Sequence, residues 1–104
     1  MHYSKSDDEF YGSYKWKCTR NRAIKRSGGF CLYCKRYGRR TEATTVHHIY
    51  PRHMYPEYQW QAWNLFPVCA ACHNRLEDRV NGELTEEGKA LMIHTIPPTS
   101  GLVE

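Results

Sequence analysis

The chain has 104 residues, 15 basic and 11 acidic, for a net charge of +4; 40% of it is hydrophobic and its mean hydropathy is −0.77. That bounds it to one small domain with a modest core, the size class that often adds a metal or disulfide staple. No stretch approaches the roughly 20 apolar residues of a spanning helix, and no apolar signal core follows Met1-His2-Tyr3-Ser4-Lys5, so a cytoplasmic setting without membrane attachment is expected, where paired cysteines hold metal more often than disulfides.

Residues 1–12 read as a polar arm ending at Gly12. Ser13 is placed to cap a helix from about Tyr14 to Ser27, with Trp16, Arg20, Ala23, Ile24 and Ser27 on one face. Gly28-Gly29 ends that helix. Between Lys15 and Arg40 lie ten basic residues and no acid, whereas six acids fall between Leu76 and Glu104. A basic half of this density suits a polyanion, although a solvated helix face has the same signature. Cys31-Leu-Tyr-Cys34 forms a first knuckle, followed by a basic turn, 35–40.

Thr44-Thr45-Val46 reads as a strand delivering His47 and His48. At a strand end the alternation of faces is expected to relax, letting His47 face a metal while His48 faces a water beside it. Residues 50–63 form a long loop rich in aromatics and proline, the kind that is functional or packed by its own side chains. Within it, Trp60 and Trp63 suit a core better than base stacking, and His53 suits a surface or packing role. Leu65-Phe66-Pro67-Val68 reads as a second strand, a helix follows from about Ala70 to Val80, and a last short helix runs from Thr85 to Met92. The boundaries are an arm at 1–12, a working domain at 13–93 and a loose tail at 94–104.

Cys31, Cys34, Cys69 and Cys72 make two Cys-x-x-Cys pairs 34 residues apart. Four thiolates close a tetrahedral structural zinc site. A mixed site of Cys31, Cys34, Cys69 and His73 is the competing arrangement. Cys18 is the odd cysteine and reads as a small buried residue. Most of the histidines lie between the pairs or just after them, outside the closed sulfur site.

The strings Val46-His47-His48-Ile49-Tyr50-Pro51 and Asn64-Leu65-Phe66-Pro67-Val68-Cys69-Ala70-Ala71-Cys72-His73-Asn74 resemble the motif of the HNH endonucleases, a branch of the ββα-metal (His-Me finger) nucleases. The resemblance spans about residues 31–79 and extends to small phage-type members. It implies a small α+β fold in which a ββα-metal finger is mounted on a four-cysteine zinc site behind a basic N-terminal helix. It implies His47 and His73 as ligands of a catalytic divalent ion (Mg²⁺, Mn²⁺ or Ni²⁺), His48 as general base, and Asn64 as the brace that orients the base. Glu77 stands where some members carry a further ligand; a role outside the metal shell, such as pairing with Arg79, is preferred here. The chemistry suits these residues, since a cation neutralises a phosphodiester while a neutral imidazole takes a proton from water.

The implied activity is nicking or double-strand cleavage of DNA with low sequence preference by a monomer, in phages alongside the terminase that packages the genome. Arg52 and Arg75 are the leading candidates for phosphate contact, with Arg22, Arg26, Arg39 and Arg40 behind them. The alternative is a non-catalytic zinc-stabilised module that binds DNA or protein. A toxin or restriction nuclease shares the chemistry and differs only in context.

Overall fold

In the computed structural model the described residues are 5–78 and 80–98. They form α1 (Lys5–Gly12), α2 (Tyr14–Arg26), α3 (Leu32–Arg36), β1 (Thr45–His48), β2 (Leu65–Val68), α4 (Ala70–Leu76) and α5 (Glu86–His94), with two 3-10 turns, at Pro56–Tyr58 and Ala62–Asn64, in the connecting loop. The architecture is the expected small α+β fold. Arg79, the sequence-suggested partner of Glu77, lies outside the described residues, as does the end of the tail.

β1 and β2 pair antiparallel, with Thr45 opposite Val68 and His48 opposite Leu65. Alternation sends successive side chains to opposite faces, and two cores follow from it. Phe66 and Val68 pack on one face with Cys31, Tyr33, Cys34, Ile49, Cys72, Leu76 and Leu91. Val46 and Leu65 pack on the other with Phe10, Trp16 and Ala23. Both strands are therefore covered on both sides, and all of β2 is buried.

The segment read as a polar arm is helical from residue 5. Phe10 explains the difference: it is buried against Trp16 and Trp60 at centroid distances of 5.3 and 4.7 Å. Ser13 serves both helices at the corner. Its hydroxyl donates to the Phe10 carbonyl at 2.7 Å and accepts from the Trp16 N–H at 3.1 Å. That satisfies one orphan group at each helix end and fixes where Trp16 enters.

α4 stops at Leu76, short of Val80, because its last carbonyls are taken from outside. The Thr85 N–H donates to Leu76 O at 3.0 Å, and the Thr85 hydroxyl donates to Arg75 O. The same hydroxyl accepts from Gly88 N at 3.1 Å, capping α5. The two helices touch backbone to backbone at Gly88, where an added Cβ would lie 2.1 Å from Leu76 O. Only glycine fits there, so α5 holds α4 at a fixed height.

Gly88→Ala must push the two backbones apart, an overpacking cost of about 3 kcal/mol. We expect the melting temperature to fall by ~10–20 °C, as read by circular dichroism or calorimetry, with intact secondary structure at low temperature.

Candidate metal centres and catalytic site

Cys31 caps α3, its sulfur accepting from Cys34 N at 3.3 Å. The turn thereby points both sulfurs of the first pair to one spot. Cys69 precedes α4 and Cys72 lies in its first turn. All four sulfurs lie within 4.8 Å of one another, and Cys34 Sγ is 3.9 Å from Cys69 Sγ and 3.5 Å from Cys72 Sγ. A tetrahedron with metal–sulfur bonds of about 2.3 Å requires sulfur–sulfur edges of about 3.8 Å, so the donor set fits zinc. A hydrogen bond from Thr41, joined by the neighbouring sulfurs, lowers the Cys34 thiol to about 6 against the effect of burial, whereas burial pushes Cys72 up. Cys18 is half-buried elsewhere. His73 stands apart from the sulfurs, in a second cluster, so the mixed Cys/His arrangement is not the one formed.

That second cluster is His47, His73 and Glu77, whose ligand atoms also lie within 4.8 Å of one another. His47 is 1% exposed. Among the described residues, its Nδ1 and Nε2 are the buried side-chain polar atoms without a hydrogen-bond partner. An unsatisfied buried polar group costs about 1–3 kcal/mol, and a cation accepting a ring lone pair would remove that cost. Glu77 Oε1 lies 3.1 Å from His73 Nε2 and 3.7 Å from His47 Nδ1. Burial alone would raise the Glu77 carboxyl, but the two histidines outweigh it and hold it at about 2. Burial likewise lowers the pKa of His47. Two imidazoles and one carboxylate converge, a set that suits Mn²⁺, Ni²⁺ or Mg²⁺. Glu77 belongs to the group, although the sequence favoured a place for it outside the metal shell.

His48 does not share that environment. β1 stays regular through its last residue, so the expected relaxation of alternation does not occur. His47 turns to α4 and His48 to the opposite face, against α1 and α2. His48 Nε2 lies 3.1 Å from the Gln59 carbonyl. A carbonyl only accepts, so Nε2 carries the proton and Nδ1 keeps its lone pair. Burial lowers the His48 pKa to about 4, so the ring is neutral at physiological pH.

Asn64 is fully buried. Its Oδ1 accepts from Tyr50 N at 2.6 Å, and its Nδ2 donates to Tyr50 O and Tyr58 O, both at 3.1 Å. One side chain thus closes the loop 50–63, which carries Gln59 and hence the acceptor for His48. Tyr50, Tyr55, Tyr58 and Trp63 pack edge to face inside that loop.

An open cleft is lined by His48, His73, Glu77 and Asn74 together with Arg20, Arg52, Asp7, Tyr11 and Trp16. Arg52 pairs with Asp7 at 2.5 Å, donates to Gln59 Oε1 at 3.0 Å and stacks over Phe10. Arg75, Arg22, Arg26, Arg39 and Arg40 are exposed; Arg39 reaches Cys34 Sγ at 4.0 Å and Arg40 covers Phe30. Sequence reasoning did not single out Arg20 or Trp16 for the cleft. Gln59 left no trace at all, because it contributes a backbone carbonyl.

Residues 31–79 match the family model described as HNH endonuclease. No curated protein matches the chain. Among solved structures, the chain is similar to the HNH endonuclease of deep-sea thermophilic bacteriophage GVE2 with manganese ion. The TM-score is 0.65 at 31% identity, over 68% of this chain and 77% of that one.

With one zinc held by the four sulfurs, elemental analysis of the purified protein will find about one equivalent. Cys34→Ala will lose it and melt non-cooperatively or far below the parent, because metal affinity in such sites is folding free energy. A zinc-free chain with an unchanged melting curve would overturn the assignment.

Proposed function

The chain belongs to the HNH endonuclease family, and from that premise we propose that it is a metal-dependent endonuclease hydrolysing phosphodiester bonds of DNA with little sequence preference. The observation that carries the reading is His47: a buried imidazole with no hydrogen bond at either nitrogen, facing His73 and Glu77. A packing histidine would be satisfied by its neighbours.

In this reading His47, His73 and Glu77 hold the divalent ion. When bound, it supplies charge neutralisation at a non-bridging phosphate oxygen and stabilisation of the leaving alkoxide. His48 is the general base. Its Nδ1 accepts a proton from the attacking water while Nε2–H stays on the Gln59 carbonyl, which gains strength as the ring becomes cationic. A polyanion entering the cleft raises the proton affinity of that ring, offsetting its burial. Asn64 acts one step removed, by holding the loop that presents Gln59. Arg20 and Arg52 flank the cleft and meet the phosphates beside the cleaved one; Arg75, Arg22 and Arg26 extend the contact outward. The domain that does this starts with α1 rather than at residue 13.

The biological setting we propose is phage DNA packaging in the host cytoplasm, beside terminase. It is supported by the phage source of the similar structure. No helix among the described residues is long and apolar enough to cross a membrane.

The test is incubation of supercoiled plasmid with purified protein and Mg²⁺, Mn²⁺ or Ni²⁺. The parent will nick it, and His48→Ala will lose about 10²–10⁴-fold in rate at a temperature where it is fully folded, with zinc content and DNA affinity retained and a melting temperature lowered only by the packing lost around the ring. Binding without cleavage in every metal, or full cleavage by His48→Ala, would refute the reading in favour of a non-catalytic binding module. Asn64→Ala removes three buried hydrogen bonds; we expect a stability loss of about 2–3 kcal/mol together with a fall in cleavage rate at temperatures where the variant is fully folded.

A further inference from the structure

The hydrogen bond to Gln59 does not by itself orient His48. Nε2 lies near the far end of the ring, close to the axis of rotation about Cβ–Cγ. Rocking about that axis moves Nδ1 while barely stretching the bond at Nε2. The torsion involved has a broad, soft preference. Something must resist the rocking if Nδ1 is to point at one place.

The flat face of Trp16 is positioned to do so. Its ring is stacked on His48, with centroids 5.2 Å apart and planes 24° apart. Phe10 and Tyr11 close on the imidazole at 5.9 and 6.2 Å, inclined at 58° and 64°. Phe10 in turn backs Trp16 at 5.3 Å and Trp60 at 4.7 Å. Trp16 is buried, yet it lines the cleft. Its own place is set by the Ser13 cap, and α1 is seated on the loop by Asp7 and Arg52. All of these aromatic residues except Trp60 lie outside the residues that match the family model.

We propose that Trp16 is a positioning residue for the reaction: a plate, supported by α1, that fixes the plane of the His48 imidazole so that Nδ1 faces the substrate water. The proposal rests on His48 being the general base. The plate acts on the rate of proton removal and not on metal or DNA binding, since Trp16 is stacked on His48 and is not part of the His47, His73 and Glu77 group. Loss of such orientation is worth up to about 100-fold in rate.

The experiment compares Trp16→Phe with Trp16→Leu. Both remove volume from the same core and should lower the melting temperature to similar degrees, but only phenylalanine keeps a flat face. Activity on plasmid DNA, measured well below both melting temperatures, is expected to stay within about 5-fold of the parent for Trp16→Phe and to fall ~10–100-fold in kcat for Trp16→Leu, with KM and calorimetric Mn²⁺ affinity nearly unchanged in both. Ring-carbon NMR relaxation of His48, which needs no turnover, should report a rigid imidazole in the parent and Trp16→Phe and a mobile one in Trp16→Leu. Equal kcat in the two variants, or an equally rigid ring in both, overturns the plate. If His48→Ala cleaves normally, the base assignment falls and the plate falls with it as a catalytic device, whereas the NMR comparison still reports whether Trp16 orders the ring.

Discussion

Two strands of four residues cannot hold a shape alone, so everything at this site depends on what pins the register of β1 against β2. His47 and His48 are neighbours on one strand and therefore point to opposite faces. A slip of one residue would exchange them, sending the wrong imidazole to the carboxylate and the wrong one to the aromatic wall. β2 is tied at both ends. Asn64, just before it, accepts from the Ile49 N–H through its backbone carbonyl and grips Tyr50 through its side chain. Cys69, just after it, joins the sulfur cluster. Between those two anchors no slip is available.

The sulfur cluster and the histidine cluster share α4, which explains why a closed site lies so near an open one. Successive residues of a helix are separated by roughly 100°. Cys72 therefore turns inward to the sulfurs while His73 turns toward β1, and Glu77, one turn on, stands beside His73. Anchoring the helix by its sulfur fixes the imidazole next to it. At the other end Thr85 takes the last carbonyls and Gly88 permits backbone contact. A seven-residue helix is too short to be stable by itself; held at both ends, it becomes a rigid mount for two donor side chains.

Much of this was legible in the order of residues. Ser13, Thr85 and the Cys-x-x-Cys pairs announce helix starts and knuckles, because capping and sulfur geometry are local. The association of His47 with His73 was carried by motif spacing. Three things were not legible, each for a physical reason. α1 looked like an arm because its composition is polar; its helicity comes from Phe10 finding Trp16 and Trp60, which is tertiary. Glu77 was marked as standing one turn from His73 at a possible ligand position, but its approach to His47 was not legible, since sequence gives its distance from His73 and not from His47. The partner of His48 is a carbonyl, and every residue has one.

The basic stretch from Lys15 to Arg40 does form a surface, with Arg20 half-buried and the other nine side chains exposed, but many of these cations are held in place. Of the basic residues in the N-terminal half, Lys15 sits over Trp60, Arg36 over Phe66 and Arg40 over Phe30. Arg20 donates to Thr44 O, and Arg39 leans on the Cys34 sulfur. Arg52 is held by Asp7, Gln59 and the Phe10 face. Such contacts leave long side chains with less freedom to lose on binding. A cation already stacked or hydrogen-bonded meets a phosphate at a fixed place, and its contribution is geometric as well as coulombic. In the proposed reading Arg20 and Arg52, both lining the cleft and both held, would define where a strand lies relative to His48, while exposed Arg22, Arg26 and Arg75 would add attraction that salt readily screens. The net charge of +4 measures only the second effect; the register of the proposed substrate would be set by the first.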